Sequence, residues 1–196
     1  TAVYELHMPG KEVTVTARAE PDIYKITYDL WKGTCEGNPS DYTVETATFS
    51  LKEPVQNGYN FVGWTGSNGE NPQKTVTIEK GSTGDKKYKA GWKPVEYKIG
   101  YELDGGSAQG NPETYTVETA DITLTNPVKT GYTFLGWSRV SGGIPEETAV
   151  IEQGSTGDLT FFAHWAAGQD TTYTVNHYLP DLDGKYILKD REERKG

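Results

Sequence analysis

The sequence predicts a mainly β fold, or a small α+β one, built as two tandem modules with partial modules on either side. Three observations carry that reading. The stretch Gly58-Tyr59-Asn60-Phe61-Val62-Gly63-Trp64 returns 73 residues later as Gly131-Tyr132-Thr133-Phe134-Leu135-Gly136-Trp137, and 35 of the 69 ungapped pairs between residues 24–92 and 97–165 are identical. Apolar and polar residues alternate with a period of two across several short runs, the pattern of strands with one face buried. Thr, Val and Tyr are plentiful while Leu is scarce, a composition that leans to strands. A fixed period without an insertion means two copies of one structural unit.

The boundaries follow from the repeat: 1–22 as the end of a preceding β-rich module, 23–94 and 95–168 as the two copies, and 169–196 as the start of a third module. Since the flanking pieces read as incomplete modules, the chain is expected to be a segment of a longer protein. Each copy is small enough to bury only ~60% of the surface its unfolded chain exposes, so its core has little to spare. No apolar run approaches the ~20 residues a membrane-spanning helix needs, so direct membrane insertion is not expected.

In the leading piece, Met8-Pro9-Gly10 turns into the alternating Val13-Thr14-Val15-Thr16-Ala17, which reads as a strand. Each copy then opens with an alternating strand, Tyr24, Ile26, Tyr28 and Leu30 on one face and Tyr97, Ile99, Tyr101 and Leu103 in the second. Gly37-Asn38-Pro39 and Gly110-Asn111-Pro112 supply turn chemistry. The segment Tyr42-Thr43-Val44-Glu45-Thr46-Ala47, identical at 115–120, reads as a second strand, whole or broken near Ala47, that Pro54 and Pro127 end. In the organising stretch, Gly63 and Gly136 lie inside a strand, implying a bulge or a neighbour too close for a Cβ, with an aromatic ring over the glycine as the expected neighbour. Residues 75–80 and 148–153 could be strand or helix; an extended segment after a short helical turn is the reading that suits both copies. Tyr88, Ala90 and Trp92, with Phe161, Ala163 and Trp165, form the inward face of the closing strand. Lys87, Lys89 and Lys93 on its other face read as defence of a sheet edge. Pro94 stiffens a link of four residues between Trp92 and Tyr97, whereas Ala166 to Thr172 is a softer connection to a last hairpin at Leu182-Asp183-Gly184-Lys185-Tyr186. Arg191 to Lys195 reads as a solvated charge run.

Charge excludes one class of partner. The net charge is −9, yet residues 23–94 carry 9 basic and 8 acidic groups against 3 and 10 in 96–168. A nucleic-acid ligand would require the same positive sign on both copies, so none is expected. Catalysis finds no footing either. Cys35, the sole cysteine, is matched by Ala108, and His7, His164 and His177 stand far apart, His164 answering to Gly91. No zinc ligand set, calcium loop or Ser/His/Asp combination can be assembled, and no cofactor is expected. Gly81-Ser82-Thr83-Gly84-Asp85 lacks the Lys-Ser/Thr and following helix of a phosphate loop, and reads as a turn in which Asp85 accepts from backbone amides. Glu146-Glu147 answers to Gln73-Lys74 and reads as a solvated face, not a hydrolytic pair.

Aromatic residues remain. Tyr28, Phe61, Trp64 and Trp92, with Tyr101, Phe134, Trp137 and Trp165, occupy equivalent positions in the two copies and read as structural core. Trp31 is replaced by Asp104 and adjoins a polar loop. It is the one candidate for ligand contact, though a peripheral packing role fits it as well.

On Tyr24–Tyr28, Pro54–Trp64 and Tyr88–Trp92, and on Tyr97–Tyr101, Pro127–Trp137 and Phe161–Trp165, the chain resembles the Listeria–Bacteroides repeat family, also called the internalin B-repeat family. Residues 1–20 are similar to the end of a divergent member, and residues from Tyr173 resemble the opening of a mucin-binding (MucBP-like) module. The resemblance implies β-grasp-like, ubiquitin-like units strung along secreted or wall-attached surface proteins of Gram-positive and related bacteria. It supplies no catalytic or cofactor-binding residues. The Thr-Val-Glu-Thr-Ala and Gly-Ser-Thr-Gly-Asp segments depart from the internalin version, so no receptor role carries over from it. The expectation is a non-enzymatic, extracellular stalk or adhesin segment, monomeric by itself, with a host glycan or glycoprotein as the expected partner if there is one. The alternatives are a glycan- or mucin-binding module and an accessory region of a larger extracellular enzyme.

Overall fold

Every element of the computed structural model, which describes residue 10 and residues 19–168 and 172–195, is a strand; no helix occurs among the described residues. The α+β alternative and the short helical turn expected before residue 75 are therefore not realised, and 77–78 and 150–151 are extended in both copies. The strand expected at 13–17 lies outside the described residues. Contacts divide the chain into two units, one holding residues up to Pro54 together with Phe61–Gly91, the other Val55–Asn60 with Trp92 onward.

In the first repeat, β1 (Tyr24–Asp29), β2 (Asp41–Tyr42), β4 (Tyr59–Gly66), β5 (Gly69–Gln73) and β7 (Lys86–Pro94) form one sheet in the order β2-β1-β7-β4-β5. The first and last long strands lie side by side and parallel, with Tyr28 opposite Tyr88, and β3 (Phe49–Ser50) pairs with β6 (Thr77–Ile78) in a separate short ribbon. Strand β7 is thus interior. Lys87 and Lys89 cover the solvent face of a central strand, which corrects the edge-strand reading: pairing between chain ends leaves no trace in the local pattern.

The second unit repeats the plan with β8 (Tyr97–Glu102), β9 (Thr114–Tyr115), β11 (Tyr132–Ser138) and β13 (Leu159–Ala167) in the order β11-β13-β8-β9. Strands β8 and β13 are parallel, and β10 (Ile122–Thr123) pairs with β12 (Val150–Ile151). A separate antiparallel hairpin, β14 (Thr172–Pro180) and β15 (Tyr186–Lys195), turns at Gly184. The charge run from Arg191 lies within β15, mostly exposed.

One tryptophan centres each core. Trp64 and Trp137 are 0% and 1% exposed, with Phe61 and Phe134 set edge-on at 5.4 Å. Tyr28 and Tyr88 close on Trp64, as Tyr101 and Phe161 close on Trp137. Burying aromatic side chains of this size dominates the energetics of so small a core. Neither buried indole N–H meets a hydrogen-bond acceptor. Trp92 and Trp165 are half-buried at the margin.

Polar locks recur with the fold, which explains many of the identical residues. Tyr28 and Tyr101 donate to the carbonyls of Pro39 (2.9 Å) and Pro112 (2.8 Å), while Tyr42 and Tyr115 donate to those of Gly84 and Gly157, both at 2.6 Å. Asp85 accepts from the Lys25 amide and Asp158 from the Lys98 amide, both at 2.8 Å. In the Thr-Val-Glu-Thr segment the chain turns instead of running on as a strand. Thr46 Oγ1 accepts the Thr43 amide, and Thr119 Oγ1 the Thr116 amide, both at 2.9 Å. Short hydroxyl side chains satisfy local amides in this way and so compete with strand pairing.

Gly136 marks a bulge, as expected, where the register with β13 shifts, and at both Gly63 and Gly136 the close neighbour is backbone and not a ring. A Cβ on Gly63 would stand 2.6 Å from the Gln73 nitrogen, and one on Gly136 would stand 2.5 Å from the Glu146 oxygen.

Candidate functional site

Two places differ between the copies in a way the shared fold does not require. The first is the turn that follows the opening strand. Its closing hydrogen bond is the same in both, Gly33 N–H to Leu30 O at 2.8 Å and Gly106 N–H to Leu103 O at 2.9 Å. Its second residue has positive φ in both, +54° at Trp31 and +47° at Asp104, and these are the only such non-glycine residues among those described. Asp-Gly suits a turn that bends this way, and Asp104 is followed by Gly105 at φ +80°. The Lys129 ammonium adds an ion pair to Asp104 at 3.1 Å. The first copy puts Trp31-Lys32 there instead. Holding a bulky L-residue in the left-handed region costs about 1–2 kcal/mol. The Trp31 amide donates to Asp29 Oδ1 at 3.1 Å, the Lys32 ammonium lies 5.5 Å from the centre of the indole ring, and the side chain is 56% exposed.

The second place is the loop after the central tryptophan of the second unit. Ser138, buried, sits 2.7 Å from His164 Nε2 and also 2.7 Å from the Val140 carbonyl. The Ser–His pairing is not legible from local pattern, because Ser138 answers to another hydroxyl, Thr65, and only His164 is new, in place of Gly91. The one signal is the histidine that replaces glycine on β13, a strand paired with β11. The contact resembles a nucleophile and base but cannot work as one. A serine hydroxyl has one proton, and Val140 O is an acceptor only, so that proton goes to the carbonyl. With the proton so placed, Ser138 Oγ accepts from His164 Nε2–H, an arrangement in which that nitrogen cannot take a proton. The pair pins the loop.

Beside it lies a cavity of about 200 Å³ lined by Trp137, Arg139, Ile144, Glu146 and Phe161 among others. The Arg139 guanidinium stacks 4.3 Å over the Phe161 ring and donates to Val150 O at 3.2 Å. Its charge is spent within the fold and does not point at an empty site.

The remaining candidate groups are structural in their contacts. Burial pushes the Cys35 thiol up from its ordinary value, opposed by Lys52, and Asn38 Nδ2 donates to its sulfur at 3.2 Å. A raised thiol is a poor nucleophile. Tyr28 is pushed up to about 12 by burial, with Tyr88 and Cys35 adding to the effect.

A family profile for the Listeria-Bacteroides repeat domain matches residues 24–90 and again residues 97–164. The chain belongs to this family. Listeria-Bacteroides repeats are typical of bacterial surface or membrane proteins, and the family is generally non-catalytic. Among the relatives is a protein of Evansella cellulosilytica described as "Putative membrane protein", 26% identical over an alignment of 188 residues that covers 89% of this chain and 26% of that protein. The chain therefore spans about a quarter of that relative's length. No solved structure matches. No helix among the described residues is long and apolar enough to cross a membrane.

Proposed function

We propose that these two Listeria-Bacteroides repeats are a non-enzymatic stalk or adhesion segment of a larger extracellular protein on the bacterial surface. One observation carries the reading. Core rings and polar locks coincide copy for copy, while the surfaces differ by eight charges between residues 23–94 and 96–168. Selection for a catalytic site leaves a set of reacting side chains; selection for a spacer leaves a fold and frees the surface. Quasi-repeating modules gain function from being strung in series, and the short Pro94-containing link favours a defined spacing over a loose one.

The test is a distance distribution between two spin labels, one at an exposed position of each repeat. A single narrow distribution, unchanged by solution conditions, is the expected result. A broad one, as for freely jointed beads, would sink the stalk.

A further inference from the structure

We propose that the Thr43–Thr46 turn of the first repeat is a docking surface for the Gly131-Tyr132 turn of a second copy of this chain, so that chains meet head to tail. This goes beyond the stalk reading and does not depend on it.

The second unit already holds one joint of this kind within itself. Residues Val55–Asn60 belong to that unit by contact, although their sequence lies in the first repeat. Gly58, at φ +77°, is buried there, and a Cβ on it would overlap the Val117 side chain. Glycine permits both the dihedral angle and the approach. Beside it the Tyr59 hydroxyl donates to Glu118 Oε1 at 3.1 Å. Val117 and Glu118 are the central residues of the Thr116–Thr119 turn.

Both halves of the joint recur in the other copy. Thr46 N–H donates to Thr43 O as Thr119 N–H does to Thr116 O, both at 3.1 Å. The Glu45 and Glu118 amides donate to Thr43 and Thr116 Oγ1, both at 3.2 Å. Val44 and Glu45 are thus shaped as Val117 and Glu118 are. The Gly131-Tyr132 turn likewise repeats Gly58-Tyr59, with φ +76° at Gly131. Tyr132 N–H donates to Lys129 O at 3.1 Å as Tyr59 N–H does to Gln56 O at 3.2 Å. Gly168 N–H donates to Gly131 O at 2.8 Å as Val95 N–H does to Gly58 O at 2.9 Å. The difference lies in cover. Gly58 is buried and Tyr59 half-buried, whereas Gly131 is exposed and Tyr132 is 47% exposed. One chain therefore carries a receiving turn on its first repeat and a matching, open turn on its second.

Charge favours this pairing over its rivals. Residues 23–94 carry 9 basic and 8 acidic groups, and residues 96–168 carry 3 and 10. Head-to-tail contact sets the acidic repeat against a near-neutral one, while contact between two second repeats sets like charge against like. Lys129 replaces Gln56, with its ammonium 4.2 Å from the centre of the Tyr132 ring. Glu45 arriving at the Tyr132 hydroxyl meets that cation nearby. Unlike surfaces that meet this way do not close on themselves, so the contact propagates as a string. Two short turns bury far less than the roughly 1,200 Å² of a stable complex, which sets the dissociation constant at about 1 mM or weaker.

Paramagnetic relaxation reads contacts this weak. Whole chains labelled with ¹⁵N are mixed with unlabelled whole chains bearing a nitroxide at Val128→Cys, an exposed position close to Tyr132 in sequence. Both carry Cys35→Ala, the residue that the second copy has at that place. The amides of Val44, Glu45 and Thr46 should broaden more than those of Val117, Glu118 and Thr119, whose place Gly58 and Tyr59 already fill. That excess should be lost when the labelled chain carries Glu45→Ala, and equally when the nitroxide chain carries Tyr132→Ala; both substitutions change exposed side chains. No broadening at a chain concentration of about 1 mM, equal broadening of the two turns, or an excess that survives both substitutions would each overturn the proposal.

Discussion

The hairpin after Trp64 and the loop after Trp137 begin from the same backbone and end differently. In the first copy β4 turns tightly into β5, with Gly66 at φ +111° and so close to the next strand that a Cβ would lie 2.4 Å from the Lys87 carbonyl. Residue 139, which takes the place of Gly66, is arginine. An L-residue cannot follow that path. The second copy keeps only one bridge, Trp137 to Glu146, and the rest opens into a loop pinned by Ser138 and His164 with Arg139 lying over Phe161. One backbone-dictated position thus decides a local architecture while the core around the tryptophan stays put. The difference teaches where to look for specialisation: at turns where one copy carries the residue the geometry wants and the other does not.

The comparison breaks first, and with the greatest effect, at what the copies share. Replacing Trp64 or Trp137 with alanine should cost its own repeat about 3–5 kcal/mol, by similar amounts. Denaturant unfolding followed by fluorescence checks this, and a large disparity would mean that the two cores are not equivalent. Next comes the asymmetry at the hairpin. Gly66→Arg should destabilise the first repeat by about 1–3 kcal/mol of backbone strain or force its hairpin open. Arg139→Gly should cost the second repeat under about 1 kcal/mol, the worth of a cation–π contact near the surface. Equal effects in the two directions would show that glycine at 66 is not what decides the loop.

Much of this was legible from the residues alone. The 73-residue offset fixed the unit, and equivalence between copies separated Trp64 and Trp137 from Trp31. Period-two alternation placed Ile26, Tyr88 and Phe161 inward, and burial agrees. Three things were not legible, each for a physical reason. Parallel pairing of β1 with β7 is a long-range choice, so Lys87 and Lys89 looked like edge guards. The neighbour of Gly63 is the backbone of Pro72 and Gln73, and backbone approach has no side-chain signature. The Ser138–His164 contact depends on register across a hairpin, and the strain at Trp31 on a dihedral angle; composition and spacing report neither.

A smaller effect separates the pinned loop from its counterpart. Ser138→Ala should cost the second repeat about 0.5–1.5 kcal/mol, because the His164 N–H and the Val140 carbonyl both lose a hydrogen bond in a part-buried setting. Thr65→Ala, which removes only a long 3.4 Å hydrogen bond to the Lys89 carbonyl, should fall within about 0.5 kcal/mol. If Ser138→Ala proves neutral, the loop is held by Arg139 and not by the serine.

The finest contrast concerns the tyrosines under the two sheets. Tyr28 is raised to about 12 by burial first and then by Tyr88 and Cys35, whereas burial alone raises Tyr101, whose neighbours at those places are Phe161 and Ala108. A tyrosine whose folded pKa exceeds its unfolded value of 10.0 keeps its proton in the native state after the unfolded chain has lost it. Its contribution to stability is therefore fully present below pH 10.0 and is lost as pH rises to about 12. Both repeats weaken in that window, the first more steeply because Tyr28 sits beside two further ionisable groups. Tyr88→Phe makes the first repeat resemble the second at this position. It should lower the ionisation midpoint of Tyr28, read by ultraviolet difference absorbance, and flatten the alkaline loss of stability, leaving the neutral-pH structure unchanged. A Tyr28 midpoint that did not move would strike Tyr88 from its causes and leave desolvation and Cys35 alone.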